Sequence, residues 1–149
     1  MNEAALGLQF FDIRLASDVT LLSYAPGGLR RGIAPAGILS PFTGMALQSP
    51  NQDTLTSTAI RVLVRPLYQV VAVGIDSPGP LSQIQQIIDA AAQIDALLGG
   101  EDGLRNIAIL NGYIYACYRE STIATTMEEE GQTWFLNGGL YRLELKSTS

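Results

Sequence analysis

Histidine is absent from this sequence, and cysteine occurs only once, as Cys117. A zinc site draws on several Cys or His ligands, and a catalytic serine or thiol needs a neighbouring base to activate it. A single cysteine also rules out an intramolecular disulfide. We therefore expect no enzymatic activity, no catalytic residue, no bound metal and no cofactor. We expect Cys117 to serve as a small apolar residue within a strand.

Charge is also scarce, because Asp, Glu, Lys and Arg together make up 15% of the chain while hydrophobic residues make up 47%. A monomer with so little charge would expose large apolar areas, which predicts an oligomer. The net charge is −5, and the basic residues are eight arginines and one lysine, Lys146. That balance disfavours binding to a nucleic-acid backbone, which needs clustered basic residues. Arginine, by contrast, is enriched at protein–protein interfaces.

No apolar run approaches the length of about 18 residues that a membrane-spanning helix needs. The first residues, MNEAALGLQF, lack the basic segment and long apolar core of a signal peptide. We expect a chain that is made in the cytoplasm and stays soluble until it assembles. Its 149 residues suffice for one domain with a substantial core, spanning 1–149, and are too few for two.

Two segments have the three- and four-residue apolar spacing of amphipathic helices. The first runs from Glu3 to Ser17 and is predicted to bury Leu6, Phe10 and Ile13 on one face, where Phe11 and Leu15 sometimes fall as well. The second follows Pro80, a residue suited to the first turn of a helix, and stops at Gly99-Gly100. Its predicted apolar stripe consists of Leu81, Ile84, Ile88, Ala91 and Leu98, with Ile87 and Ile94 beside it.

Strands are predicted where β-branched and aromatic residues concentrate or alternate with polar ones. Proline cannot donate to a sheet ladder, so Pro66 predicts a break within one of these segments. The expected elements are a short strand over Phe42–Gln48, a turn over Ser49–Asp53, a strand over Thr58–Ile75 broken at Pro66, and a hairpin of Gly112–Thr126 with Gln132–Lys146.

In the last predicted strand, three apolar residues alternate with three charged ones. Such alternation is typical of a sheet with one packed and one solvent-facing side. Helix, strands, helix and hairpin follow one another along the chain, which predicts an α+β fold: a single domain with an antiparallel or mixed β-sheet and two main helices packed on one face. The alternating residues are Tyr141, Leu143 and Leu145 against Arg142, Glu144 and Lys146.

Three short arrangements could be interpreted as functional motifs. Glu128, Glu129 and Glu130 offer carboxylates for a hard cation, but consecutive strand residues point to opposite faces, which favours a solvated hairpin tip. Arg119-Glu120-Ser121 combines an acid with a nucleophile, but no base accompanies Ser121, which favours an ion pair or an inter-subunit contact. Gly138-Gly139 indicates a bulge or a close backbone approach.

Several blocks of the sequence, taken in order, resemble the tail terminator, or tail-completion, proteins of long-tailed bacteriophages. The resemblance spans nearly the whole chain and is firmest from Ile60 to Leu145. The acidic tip at Glu128–Glu130 and the loop from Pro26 to Pro41 depart from the family's pattern. The matching blocks are Gly32-Ile33-Ala34-Pro35, Pro41-Phe42, Leu67–Gly74, the helix Leu81–Leu98, Arg119-Glu120 and the closing Gly138–Arg142.

The resemblance implies a structural protein of the virion, located where tail meets neck. It implies a ring of six copies that caps the head-proximal end of the tail tube, ends its elongation and docks the neck. The implied partners are further copies of the chain, the tail tube protein and a neck stopper or connector protein, with the tail sheath as a further candidate. Genomic DNA would pass through the channel without specific binding, and no membrane is involved.

Two sets of residues are predicted to serve such a ring. Aromatic residues and arginines anchor interfaces most often, and the predicted interface residues are Tyr118, Arg119, Glu120, Trp134, Tyr141 and Arg142. Carboxylates repel phosphate, so Glu128, Glu129 and Glu130 are predicted to face the lumen or to lie over the tube.

Two other classes of protein fit the sequence. One is a different ring of the same assembly, either a stopper or adaptor of the neck or a subunit of the tail tube. The other is a small-ligand-binding α+β module, whose pocket would lie between the second helix and the sheet. Fold alone does not separate these functions.

Overall fold

The structure is a computed structural model that describes residues 3–49, 53–55, 61–129 and 131–147. Helices are short and strands dominate the chain. The elements in order are α1 (Glu3–Leu15), α2 (Val19–Tyr24), β1 (Leu29–Arg31), β2 (Phe42–Ser49), β3 (Asp53–Leu55), β4 (Arg61–Val64), β5 (Leu67–Ile75), a 3₁₀ turn (Gly79–Leu81), α3 (Ile84–Leu97), β6 (Leu104–Ile109), β7 (Gly112–Glu129) and β8 (Gln132–Ser147).

All of the described strands belong to one mixed sheet, in which β8 is central. Strand β7 lies along one edge of β8 for its whole length, while β5 and β4 share the other edge. Beyond these lie β2 and β1 on the β5 side, β3 next to β4, and β6 next to the first part of β7. Among the described strands, β1 and β2 alone run parallel. The predicted α+β class with a mixed sheet is confirmed.

The larger hydrophobic core lies between the helices and one side of the sheet. Tyr68 and Val70 of β5 and Tyr141 of β8 join Phe10 of α1 and Ile87 of α3 in this core. Alternation in β8 is as predicted, since Tyr141, Leu143 and Leu145 are all buried. Fully burying a large apolar side chain contributes roughly 1.5–3 kcal/mol, so this core supplies most of the hydrophobic stabilisation.

A second, smaller core covers the opposite side of β5. It contains Phe42, Val71, Val73, Trp134 and Leu136, with Ile33 and Ile38 of the loop before β2 packed over it. Both sides of β5 are therefore covered, which explains why its sequence is apolar at nearly every position. The loop from Pro26 to Pro41 acts as the cover of this second core.

Helix α1 differs from the prediction in its end and its buried face. It stops at Leu15, because Asp18 starts a separate helix, α2, by accepting the Leu21 N–H at 2.9 Å. Leu6 and Phe10 are buried as predicted, together with Phe11 and Leu15. Ile13 was expected on the same face, and this is wrong: its side chain is 53% exposed.

Helix α3 is confirmed, but its buried stripe is rotated from the predicted one. Ile87, Ala90, Ile94 and Leu98 are fully buried, whereas Leu81 is 72% and Ile88 is 42% exposed. Pro80 and Leu81 belong to a separate 3₁₀ turn. The rotation is set at Gln83, whose side chain accepts the Ile75 N–H at 2.9 Å and donates to the Ser40 carbonyl at 3.2 Å.

The strand predictions agree best with the structure where the run of β-branched and alternating residues is long. Pro66 separates β4 from β5 as expected, and its carbonyl accepts the Leu143 N–H at 3.0 Å. The predicted turn at Ser49–Asp53 is wrong at both ends, which lie in β2 and β3, and residues 50–52 are outside the described part. Residues 58–60 of the predicted strand are also outside it. The short strands β1, β3 and β6 were not predicted.

Candidate functional site

The β7–β8 hairpin is the longest paired unit of the molecule and carries the predicted interface residues. β7 leaves its regular register twice, between Ile114 and Ala116 and between Arg119 and Ser121. Such bulges bend a strand and redirect its side chains. Beyond the second bulge, Gly138 pairs with Ile123, and a Cβ added to Gly138 would overlap the Val70 carbonyl oxygen. The predicted close backbone approach at the glycine pair is thus confirmed.

On the helix side of the sheet, Arg119 forms an ion-pair cluster with α3. Its Nη1 lies against the Asp95 carboxylate and its Nη2 lies 3.2 Å from Glu101 Oε1. Tyr141 donates its hydroxyl to Asp95 at 2.9 Å. Burial, reinforced by this hydrogen bond, raises the pKa of Tyr141, so the hydroxyl remains a neutral donor. The cluster ties the end of α3 to the middle of the hairpin.

On the opposite side, Arg142 organises a second polar cluster. It holds Glu120 with two hydrogen bonds, at 2.8 and 3.2 Å, and donates to the Arg65 carbonyl at 2.7 Å. Arg65 in turn donates to the Tyr118 hydroxyl at 3.0 Å and lies 3.6 Å from Glu144. The bonds from Arg142 hold the pKa of Glu120 below its ordinary value. Arg142 was expected on a wet face, but it is only 8% exposed.

The sequence Arg119-Glu120-Ser121 is thus divided between two clusters. Arg119 contacts Asp95 beside the helices, whereas Glu120 contacts Arg142 on the far side of the sheet. The predicted ion pairs are confirmed. These contacts lie within one subunit, and the alternative of an inter-subunit contact stays a prediction.

Trp134 also has partners within the subunit. It belongs to the second core, is 8% exposed, and donates its indole N–H to the Glu129 carbonyl at 3.2 Å. Tyr141 and Arg142 are similarly buried, and Tyr118 is half-buried. All six predicted interface residues therefore have contacts inside the chain, and their role between copies stays a prediction.

The hairpin tip is acidic and exposed. Glu128 and Glu129 are exposed, and Glu128 accepts the Thr133 hydroxyl at 2.9 Å. Glu130 lies outside the described residues. Within the part of the chain that the structure describes, no three or more Cys, Asp or Glu side chains are grouped to hold a metal ion.

The outer edge of β7 was not singled out from the sequence. Strand β6 pairs with β7 only as far as Cys117, and the Arg119 N–H bonds to the Gly100 carbonyl at 3.0 Å. From Ser121 to Glu129, pairing among the described strands is with β8 alone. We call Ser121–Glu129 the free edge of β7. The signal was available: from Ser121 to Met127 this segment has no charged residue and no Pro, which are features that commonly protect an edge.

The remaining candidates have ordinary structural roles. Cys117 is fully buried, and burial raises the pKa of its thiol to about 12, as suits a small apolar residue. The space between α3 and the sheet, where a ligand pocket was the alternative, is occupied by the fully buried side chains of Ile87, Ala90 and Ile94. No helix among the described residues has the length and hydropathy needed to cross a membrane.

Comparison with known proteins identifies a shared fold. No protein-family model and no curated protein sequence matches this chain. Among solved structures, the chain is similar to one from the virion of a native gene transfer agent particle, with a TM-score of 0.57 and 18% identity. The similarity covers 97% of this chain and 98% of that chain. At this identity, the likeness establishes the fold.

Proposed function

We propose that this chain is a structural, non-enzymatic protein of a phage-like virion. The observation that carries the proposal is the fold shared over nearly the full length of both chains with a component of a gene transfer agent virion. A whole-length match excludes a common fragment grafted onto an unrelated domain. The low content of charge, with 15% charged residues, favours a chain that works in an assembly.

Within such a particle, we propose the role of tail terminator. The chain would form a ring, of six copies, on the head-proximal end of the tail tube, stop its growth and join it to the neck. The support is the order of sequence blocks from Gly32 to Arg142 that resembles this family. Tail tube protein, the neck stopper or connector and the tail sheath are the proposed partners.

A cyclic ring requires two different surfaces on each copy that fit one another. The free edge of β7 provides one such surface, because its backbone groups can pair with a strand from a neighbour. Its nine residues exceed the usual strand length of about five or six. Most of its side chains are exposed, and Ile123 and Met127 lie against the second core. An edge of this kind is an assembly site or an aggregation hazard.

The acidic tip suits either of two positions in the ring. Facing the lumen, Glu128 and Glu129 would repel the phosphates of passing DNA, so that the genome slides without binding. Facing the tube, they would meet a basic surface of the tube protein. Either position requires carboxylates that are accessible on the free subunit, as Glu128 and Glu129 are.

The proposal is tested by a cryo-EM reconstruction of the neck of the intact particle. A single ring of this chain between tail tube and neck is the expected result. Copies stacked along the tube would identify a tube subunit instead, and a ring adjoining the capsid portal would identify a neck adaptor. Absence of the chain from the particle would overturn the virion role.

A further inference from the structure

The sheet contains rows of residues that cross five strands from one edge to the other. In register, β7 pairs with β8, β8 with β5, β5 with β2, and β2 with β1. The free edge of β7 and strand β1 are therefore the two ends of the same layer, at the same height. The central row is Ile123, Gly138, Val71, Gly44 and Arg30; the rows beside it run from Ala124 to Leu29 and from Thr122 to Arg31.

Strand directions make these two ends compatible. β7 is antiparallel to β8, β8 to β5, and β5 to β2, whereas β2 and β1 are parallel. It follows that β7 and β1 run in opposite directions. A rotation about an axis along the strands preserves direction, so β1 of a rotated copy would meet β7 as an antiparallel partner. Antiparallel pairs are slightly more stable per residue than parallel pairs.

Charge favours the same pairing. Two of the three residues of β1 are arginines, Arg30 and Arg31; both are exposed, and Arg31 also forms an exposed ion pair with Asp12 at 2.7 Å. The free edge of β7 has no basic residue and ends in Glu128 and Glu129. Closing a sheet on itself staggers neighbouring strands, and a stagger of about six residues toward the tip would set Arg30 opposite Glu129 and Arg31 opposite Glu128. Two copies of the β7 edge, by contrast, would place carboxylates on both sides of the contact.

We infer that β7 of one copy pairs with β1 of the next, so that one sheet continues from copy to copy around the ring. This inference rests on the proposed ring and names its interface. With strands spaced about 4.8 Å apart, a layer of five strands in each of six copies gives a circumference of about 140 Å. The corresponding backbone diameter of about 46 Å leaves a passage inside the ring. β1 is short, but ring closure makes the last contact intramolecular and so strengthens the whole.

Disulfide trapping tests the contact directly. Arg31→Cys is combined in the full chain with Thr122→Cys, Ala124→Cys or Thr126→Cys, three exposed positions on the same face of the sheet as Arg31 that cover different staggers. The chain is concentrated to the millimolar range and oxidised. Native Cys117 is buried and does not interfere. We expect a reducible ladder of linked chains from at least one pair. The matched control, Ala124→Cys with Val19→Cys, uses an 81% exposed position on α2 and should give no ladder.

A charge exchange tests the identity of the partner strand. Ala124→Lys with Thr126→Lys should weaken self-association at least about tenfold, because the added like charges would lie on the same face of the sheet as Arg31. Ala124→Glu with Thr126→Glu should preserve it. In a chain that also carries Arg30→Glu and Arg31→Glu, the Lys variant should preserve self-association and the Glu variant should weaken it. Circular dichroism confirms folding, and analytical ultracentrifugation measures association.

Two results would overturn the inference. One is the absence of a linked product from all three cysteine pairs; the other is an equal effect of the Lys and Glu variants. Neither depends on the location of the chain in the particle. A ring at the neck without this contact would support the proposed function and reject the interface. A ladder of chains linked through β1 and β7, from a chain that is absent from the particle, would support the interface and reject the proposed function.

Discussion

Arg142 and Glu120 form a two-pronged pair across the β7–β8 hairpin, with Nε 2.8 Å from Oε1 and Nη2 3.2 Å from Oε2. The side chain of Arg142 is 10% exposed, whereas the side chain of Glu120 is 33% exposed. Arg142 also bonds to the backbone of Arg65, so one side chain links β8, β7 and the segment before β5. This pair is therefore a structural support of the hairpin.

Replacing Arg142 with Met should destabilise the fold. The change leaves the Glu120 carboxylate and the Arg65 carbonyl without their donor, and removing a hydrogen bond to a charged group costs about 1.5–3 kcal/mol. Urea denaturation measures the free energy of unfolding. Arg31→Met is the matched control: its pair with Asp12 is exposed at 57% and 42%, and such pairs contribute about 0–1 kcal/mol. Equal losses for both variants would contradict the prediction.

Acid should weaken the same pair. Its hydrogen bonds lower the pKa of Glu120 in the folded chain from the ordinary 4.5. A group with a lowered folded pKa contributes stability above its unfolded pKa, and that contribution is lost as pH falls. The free energy of unfolding should thus decline as pH falls below 4.5. Glu120→Gln should show a shallower decline over the same range, measured by denaturation at each pH; parallel curves would argue against the pair as the cause.

Adding one methyl group at Gly138 should be costly. A Cβ there meets the backbone of Val70 and Val71 in the neighbouring strand, which cannot move without breaking the ladder. Overpacking of this kind costs about 1–3 kcal/mol. Gly131→Ala is the comparison, because a Cβ at Gly131 meets nothing within 4 Å and only its positive φ of 73° opposes the change. In thermal unfolding, the Tm of Gly138→Ala should lie well below that of Gly131→Ala. The opposite order of Tm values would refute the close backbone approach at Gly138.

Reversing the charge of the hairpin tip tests the proposed virion role. In particles that carry Glu128→Lys, Glu129→Lys and Glu130→Lys together, DNA ejection should slow or tail docking should fail. The described side chains, Glu128 and Glu129, are exposed, so the purified variant should keep its unfolding free energy. Ejection rate and the fraction of tailed particles are the measurements. If both match the parent, the tip is only a solvated turn.

The single thiol should report on global unfolding. Cys117 is fully buried between β6 and β8, and burial raises the pKa of its thiol to about 12. An aromatic disulfide reagent should therefore label it at a rate set by opening of the sheet. Moderate urea should speed labelling in step with unfolding measured by fluorescence of Trp134. Rapid labelling in native buffer would show that β6 opens alone.

Long segments with a clear period could be predicted from the sequence. The orientation of α3 and the position of β6 depend on contacts between elements and could not. The alternation of Tyr141 to Lys146 and the break at Pro66 follow from side-chain size and the missing proline N–H. The rotation of α3 depends on the two hydrogen bonds of Gln83, which join residues distant in sequence. Strand β6 includes Asn106 with a φ of 58°, a left-handed conformation that the local sequence pattern does not predict.

The interface predictions had a similar limit. Aromatic residues and arginines are favoured both at interfaces and in the interior, and composition did not distinguish the two for Trp134, Tyr141 or Arg142. All three are buried within the subunit. The free edge of β7 depends on where β6 ends, and that depends on pairing across the sheet. The run from Ser121 to Met127, which has no charged residue and no Pro, was its only local sign.

Strands β4 and β5 pair with the same edge of β8 over very different lengths, which affects how the sheet responds to force. β5 lies beside β8 from Leu67 to Ile75, whereas β4 meets it, among the described residues, through Val64 opposite Leu145. A force that pulls along the strands must shear the whole β5 contact at once, but it can peel β4 away with little work. We therefore expect β4 to separate from β8 under load before β5 does. The β3–β4 arm is thus the more easily deformed part of the sheet, and the β5–β8 pair is the stiffer part.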